Sequence, residues 1–205
     1  MAVLAKAPIP GLAKSRLIPA IGRQAAARLQ RQLTRQALRT AHGANLGTVT
    51  LWCAPDARHR FFHALQRAAG QPCLVQPAGD LGDRMHTAFR VHCLQGPLVL
   101  IGTDCPVLQP AHLRQAAMAL IDGMDAVFQP AEDGGYVLVG LCEPQPALFH
   151  GMTWSTDQVM AHTRARARAA GLRVHELDTL WDIDLPGDLA RWRGQPIDGN
   201  VGMAR

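Results

Sequence analysis

The sequence predicts an α/β protein, with a mostly parallel central sheet and helices on both faces, in one domain spanning residues 1–205. Three observations carry that prediction. Strand-like and helix-like segments alternate along the chain, the order that builds parallel sheets through helical crossovers. The run Leu98 to Ile101 is apolar at every position, as in a strand covered on both faces. With 48% hydrophobic and 18% charged residues, 205 residues suffice for a full core and lie well away from disordered compositions.

Taken in order, Ala2 to Ala5 is the first strand, and the loop after it holds Pro8, Pro10, Gly11 and Pro19, so it cannot be helical throughout. A helix follows from about Arg23 to Ala41, with Leu29, Leu33 and Ala37 at four-residue spacing and Gly43 as its stop. Thr48 to Cys53 alternates like a strand, and Asp56 to Ala69 reads as a helix capped by Asp56 and ended by Gly70. A strand at Cys73 to Gln76 leads through Gly79-Asp80-Leu81-Gly82-Asp83 into a helix from Arg84 to Leu94. After the buried strand, Pro110 to Ile121 is a helix with proline at its start and Gly123 at its end. Ala126 to Gln129 and Tyr136 to Leu141 are strands around Asp133-Gly134-Gly135. Thr156 to Ala170 is a helix, Arg173 to Leu177 a strand, and Pro186 to Trp192 a short last helix. The tail after about residue 194 is expected to be loose.

Composition narrows the class. No apolar run approaches the roughly 18 residues of a membrane span, and Met1 leads into a strand without a signal-peptide pattern, so a cytoplasmic protein is expected. The five cysteines include no C-x-x-C pair, which argues against a disulfide framework or zinc ribbon. His59 and His63 stand four apart but lack a third ligand in any recognisable pattern. Residues 1–79 hold a single acid, Asp56, whereas both lysines, Lys6 and Lys14, fall in the first loop region. That asymmetry points to an anionic ligand near the N-terminal part. A nucleic-acid surface is the weaker alternative, because the basic face Arg28, Arg31, Arg35 and Arg39 has no interleaved aromatics.

In open α/β sheets, ligands bind at the carboxyl ends of strands. Asp104 follows the buried strand, and Asp182 and Asp184 follow the last one. Carboxylates from separate strand ends suit Mg²⁺ or Mn²⁺ bridging phosphate oxygens. Asp188, three residues beyond Leu185, reads instead as the N3 partner of a helix that Pro186 begins. The first loop supplies countercharge: Lys6, Lys14 and Arg16, with backbone N–H groups near Gly11, can hold a di- or triphosphate, and Ala7 and Pro8 are taken with them as nucleotide-binding residues. Asp80 and Arg84 are taken as further nucleotide-binding residues. The spacing G-x-x-x-x-G-K-[ST] is absent, and so is G-x-G-x-x-G after the first strand, which excludes a P-loop and a dinucleotide fingerprint. By spacing alone, Asp133, Gly134, Gly135 and Tyr136 fit either a hairpin turn or a ligand wall.

The segments KAPIPGLAKSRL, GTDCPVL, PAEDGGYVLVGL, MTWST and WDIDLPGDL resemble, in this order over about residues 3–192, a bacterial family of nucleotide-diphospho-sugar-transferase-like proteins described as A-type glycosyltransferases, some linked to arsenosugar biosynthesis. The layout is more distantly similar to molybdenum cofactor and 2-phospho-L-lactate guanylyltransferases, from whose D-x-D-T-P-x-D-L ending this chain departs by Leu185 in place of threonine. The resemblance implies a glycosyltransferase-A fold, a nucleotide pocket at the first loop and a metal on Asp104. It also assigns Asp133 to Tyr136, with Trp154 and Ser155, to the acceptor side. Asp104, Lys14 and Asp133 are the candidate catalytic residues. The expected protein is a Mg²⁺- or Mn²⁺-dependent transferase that joins a nucleotide sugar to a small-molecule acceptor. Nucleotidyl transfer from an NTP is the second reading, and a non-catalytic nucleotide- or nucleic-acid-binding module the third.

Overall fold

The computed structural model describes residues 1–194, so the expectation of a loose tail falls outside the described residues. Seven strands form one sheet in the order β3-β2-β1-β4-β6-β5-β7. They are β1 (Ala2–Lys6), β2 (Thr50–Ala54), β3 (Cys73–Val75), β4 (Leu98–Ile101), β5 (Ala126–Pro130), β6 (Tyr136–Leu141) and β7 (Val174–Glu176). The helices are α1 (Ile18–Gly43), α2 (Arg60–Ala69), α3 (Leu81–His92), α4 (Pro110–Ile121), α5 (Pro146–Phe149), α6 (Val159–Ala169) and α7 (Pro186–Gly194). Only β6 runs antiparallel to its neighbours, β4 and β5. Six strands therefore end at one edge of the sheet, and β6 begins there.

The period-two alternation of the strands sorts the core into two layers. Val3 and Ala5 of β1 face one way and pack with Leu38, Phe62, Leu113 and Leu120, from α1, α2 and α4. Ala2 and Leu4 face the other way, toward Met85, Phe89, Phe149 and Met160, from α3, α5 and α6. Every residue of β4 is buried, as its unbroken apolar run requires. A smaller third cluster joins Leu17, Leu29 and Leu33 to Trp181, Ile183 and Leu189, pinning the first loop and α1 to the segment before α7.

Several element ends differ from expectation, each for a local reason. Gly22 adopts φ 77°, so regular helix in α1 begins near Arg23, where the sequence places it. Asp56 does not cap α2: its carboxylate accepts from Arg58 N at 2.8 Å in a local turn, and His59 Nδ1 caps by accepting from Phe61 N. Helix α3 starts three residues earlier than expected, because Asp80 and Asp83 form a reciprocal capping box. Helix α6 starts at Val159, three residues later than expected, and the Thr156 hydroxyl donates to Thr153 O in the turn before it.

Candidate active site

A cavity of about 620 Å³ opens at the edge where the parallel strands end. Its floor is built by three segments far apart in the sequence. Beyond β4, Thr103 and Asp104 turn into the cavity, and Ile183 N donates to Asp104 O at 2.8 Å, which ties the 182–184 segment to that loop. From the other side, Lys14 reaches in on a left-handed backbone, φ 49°. A non-glycine residue there costs about 1–2 kcal/mol, so its placement is held by the surroundings.

Lys14 Nζ stands 3.0 Å from Asp104 Oδ1 and donates to Ile183 O, with its side chain only 4% exposed. The same Asp104 oxygen accepts from Thr103 Oγ1 at 3.1 Å, and Thr103 Oγ1 accepts from Gln30 Nε2 at 3.0 Å. Gln30 and Thr103 are themselves buried, so Asp104 is braced by a dry chain of hydrogen bonds reaching back into α1. Burial, then the nearby carboxylates of Asp133 and Asp104, pushes the Asp182 carboxyl up to about 7, while Lys14 pulls it down. Cys105 also lines the cavity, but burial pushes its thiol up to about 12 and keeps it protonated.

The remaining walls carry both charge and apolar surface. Lys6 and Arg84 line one side with Gln76, whose Nε2 donates to Trp52 O at 2.8 Å and to Ala5 O at 3.3 Å. Arg84 is steadied by Gly79 O at 3.1 Å. Asp133, Gly135, Tyr136, Trp154 and Ser155 complete the lining. The Tyr136 and Trp154 rings meet edge to face with centroids 6.4 Å apart. Trp154 fits against α3 because residue 82 is glycine, where a Cβ would lie 3.0 Å from the indole Nε1 and 2.6 Å from Phe149 O. Ser155, like Lys14, has a left-handed backbone, φ 63°.

Most of the residues singled out in the sequence thus meet in one cavity, with several corrections. Asp104, Asp182 and Asp184 all line it, yet among the described residues no three His, Cys, Asp or Glu side chains form a metal-holding group. Arg16, expected on phosphate, is ion-paired with Asp184, expected on the metal. The amides after Gly11 are consumed inside their own turn, since Leu12 N and Ala13 N both donate to Ile9 O. Ala7 is buried with its N–H on Ala54 O at 2.7 Å, and Pro8 is buried beside it. Asp80 serves as the cap of α3. Gly134 packs on backbone: a Cβ there would lie 2.1 Å from Asp157 O. Sequence reasoning missed Gln30, Gln76 and Thr103. The available signal was a polar side chain inside an apolar pattern, as with Gln30 beside Leu29 and Leu33.

Fold and cavity together define a nucleotide-diphospho-sugar-transferase-like α/β protein. The structure superposes on a protein from Desulfovibrio desulfuricans G20 provisionally titled a nucleotide-diphospho-sugar transferase, with TM-score 0.81 and 29% identity over 90% of this chain and 81% of that one. The chain belongs to the family described as uncharacterized protein conserved in bacteria (DUF2064), whose model matches residues 37–156. The fold is shared with CMP:2-keto-3-deoxy-manno-octonic acid synthetase complexed with CTP, TM-score 0.58 and 14% identity over 94% of this chain and 95% of that one. It is shared also with Rv0371c from Mycobacterium tuberculosis H37Rv, TM-score 0.57 and 18% identity over 95% and 97%. Comparison with curated protein sequences gives no match. Among the described residues no helix is long and apolar enough to cross a membrane.

Proposed function

We propose that the protein is a transferase that takes a nucleotide-activated donor, with a nucleotide sugar ahead of an NTP, and passes one half of it to a small-molecule acceptor. The observation that carries this reading is the meeting of Asp104, Asp182 and four cations (Lys6, Lys14, Arg16 and Arg84) in one cavity at the strand ends. The likeness to the 29%-identical protein titled a nucleotide-diphospho-sugar transferase supports the sugar donor. Lys6 and Arg84 stand where they can hold donor phosphates, and Lys14 where it can offset charge that grows on the leaving diphosphate. Tyr136, Trp154 and Asp133 offer their part of the lining to the acceptor, two rings for its apolar surface and a carboxylate for its hydroxyls.

Asp104 and Asp182 fit a divalent cation by chemistry, being hard oxygen donors from separate loops, and the Lys14 ammonium already stands in as a cation between the loops. They would hold Mg²⁺ or Mn²⁺, which when bound neutralises diphosphate oxygens. The test is a thermal-shift screen of NDP-sugars and NTPs with and without each metal, followed by detection of released nucleoside diphosphate or pyrophosphate with the donors that stabilise. Stabilisation by NDP-sugars and release of the diphosphate are expected. Pyrophosphate release from an NTP would favour the nucleotidyl reading, and polyanion binding indifferent to chelators would reject both.

A further inference from the structure

We propose that the Lys14 ammonium is the resident counter-cation of the acidic pocket, so that a divalent metal reaches Asp104 only by displacing Lys14. The inference rests on reading the cavity as a metal and nucleotide site, and its grounds are geometric. Lys14 Nζ lies 3.0 Å from Asp104 Oδ1, and its second bond, to Ile183 O, fixes it between the two loops that carry Asp104 and Asp182. With Thr103 Oγ1 on the same oxygen at 3.1 Å, Asp104 Oδ1 already receives two donors. A metal on either oxygen of this small carboxylate would face the buried ammonium as a like charge only a few ångströms away.

The lysine also has somewhere to go. Its four-carbon stem is flexible, and Lys6, Arg16 and Arg84 mark the cavity as a place for anions. A phosphate entering there offers the ammonium a new partner, and the metal then takes over the vacated carboxylate. Metal and phosphate therefore bind with positive coupling, each raising the affinity for the other. Metal alone binds weakly because it must evict a buried ammonium that gains nothing in exchange.

The chain has two lysines, Lys6 and Lys14, which makes the test compact. Wild-type protein is treated with an amine-acylating reagent and the two sites are followed by mass spectrometry, with exposed Lys6 as the internal standard. In metal-free protein Lys14 should react about tenfold more slowly than Lys6, and saturating Mn²⁺ should accelerate Lys14 alone. In parallel, Mn²⁺ affinity is measured from the electron paramagnetic resonance of the free ion. Without nucleotide, Lys14→Gln and Lys14→Met should bind Mn²⁺ about tenfold more tightly than wild type. A Lys14 reactivity that Mn²⁺ leaves unchanged, or variants that bind no more tightly than wild type, including no binding by any of them, overturns the proposal. UDP and GDP titrations separate this from the transferase reading. A Mn²⁺-dependent Lys14 response without nucleotide binding rejects that reading and keeps this one; nucleotide binding with an indifferent Lys14 does the reverse.

Discussion

Replacing Gly134 by alanine strikes the point where the acidic turn before β6 meets the loop that leads into α6. Gly134 has φ 87°, a conformation that costs an L-residue about 1–2 kcal/mol. Its added Cβ would stand 2.1 Å from Asp157 O, 2.5 Å from Asp157 C and 2.6 Å from Asp157 Cα. All three are backbone atoms, so no rotamer relieves the contact, and the 157 segment must retreat by about 1 Å. That retreat stretches the 2.8 Å bond from Met160 N to Gly134 O, worth about 0.5–1.5 kcal/mol. The combined expectation is a loss of about 2–4 kcal/mol, read as a lowered urea midpoint at unchanged slope. Gly135→Ala is the control, because its Cβ would meet only the Asp133 carboxylate, at 3.2 Å, a side chain that can yield at the cost of its 2.9 Å bond from Gly135 N. The control should cost under about 1 kcal/mol. If the two variants unfold at the same urea concentration, the steric account of this turn is wrong.

Three further outcomes follow from the geometry. Asp188 Oδ2 accepts from Asp184 N at 3.0 Å and Leu185 N at 2.7 Å, so Asp188→Ala should cost about 0.5–2 kcal/mol in chemical denaturation and leave donor binding nearly unchanged. Thr103→Val removes a donor to Asp104 and the 3.0 Å acceptor of Gln30 Nε2, at an expected cost of about 1–3 kcal/mol; a thermal midpoint equal to that of wild type would count against the hydrogen-bond chain. At the surface, the Arg173 guanidinium bonded to Asp125 holds its carboxyl down at about 2. A depressed carboxylate stabilises the fold above its unfolded value, near 4, and loses that contribution as pH falls toward 2. The stability gap between wild type and Asp125→Asn, measured by urea denaturation at stepped pH, should therefore close over that window, and a constant gap would refute the linkage.

Much of the fold was legible because periodicity is a local property. The unbroken run of β4 and the glycine stops after α2 and α4 each lie within a few residues. The reversed direction of β6 was not legible, since a five-residue turn from Ala131 to Gly135 fits a hairpin or a ligand loop equally well. At the site, sequence could nominate Asp104 and Lys14 separately as metal ligand and phosphate partner. It could not show that they pair with each other across ninety positions (104 − 14), because ion pairing is set by tertiary packing. Asp80 shows the opposite failure. Its capping-box spacing with Asp83 was visible in the sequence, and the nucleotide reading was laid over it.

The contacts of Lys14 with Ile183 and of Arg16 with Asp184 span 169 and 168 residues, which sets when the pocket can exist during synthesis. Until residue 184 has left the ribosome, the basic loop is present without the Ile183 carbonyl and the Asp184 carboxylate that help to steady it. A chain growing from its N-terminal end thus displays these cations until residue 184 has emerged, and the pocket can close only then. Closing so long a loop adds little entropy beyond a loop of half the length, about 0.6 kcal/mol. The delay is one of timing rather than energy: no fragment short of that point can hold the site, and occupancy of the pocket by a ligand reports a chain folded from one end of the cavity to the other.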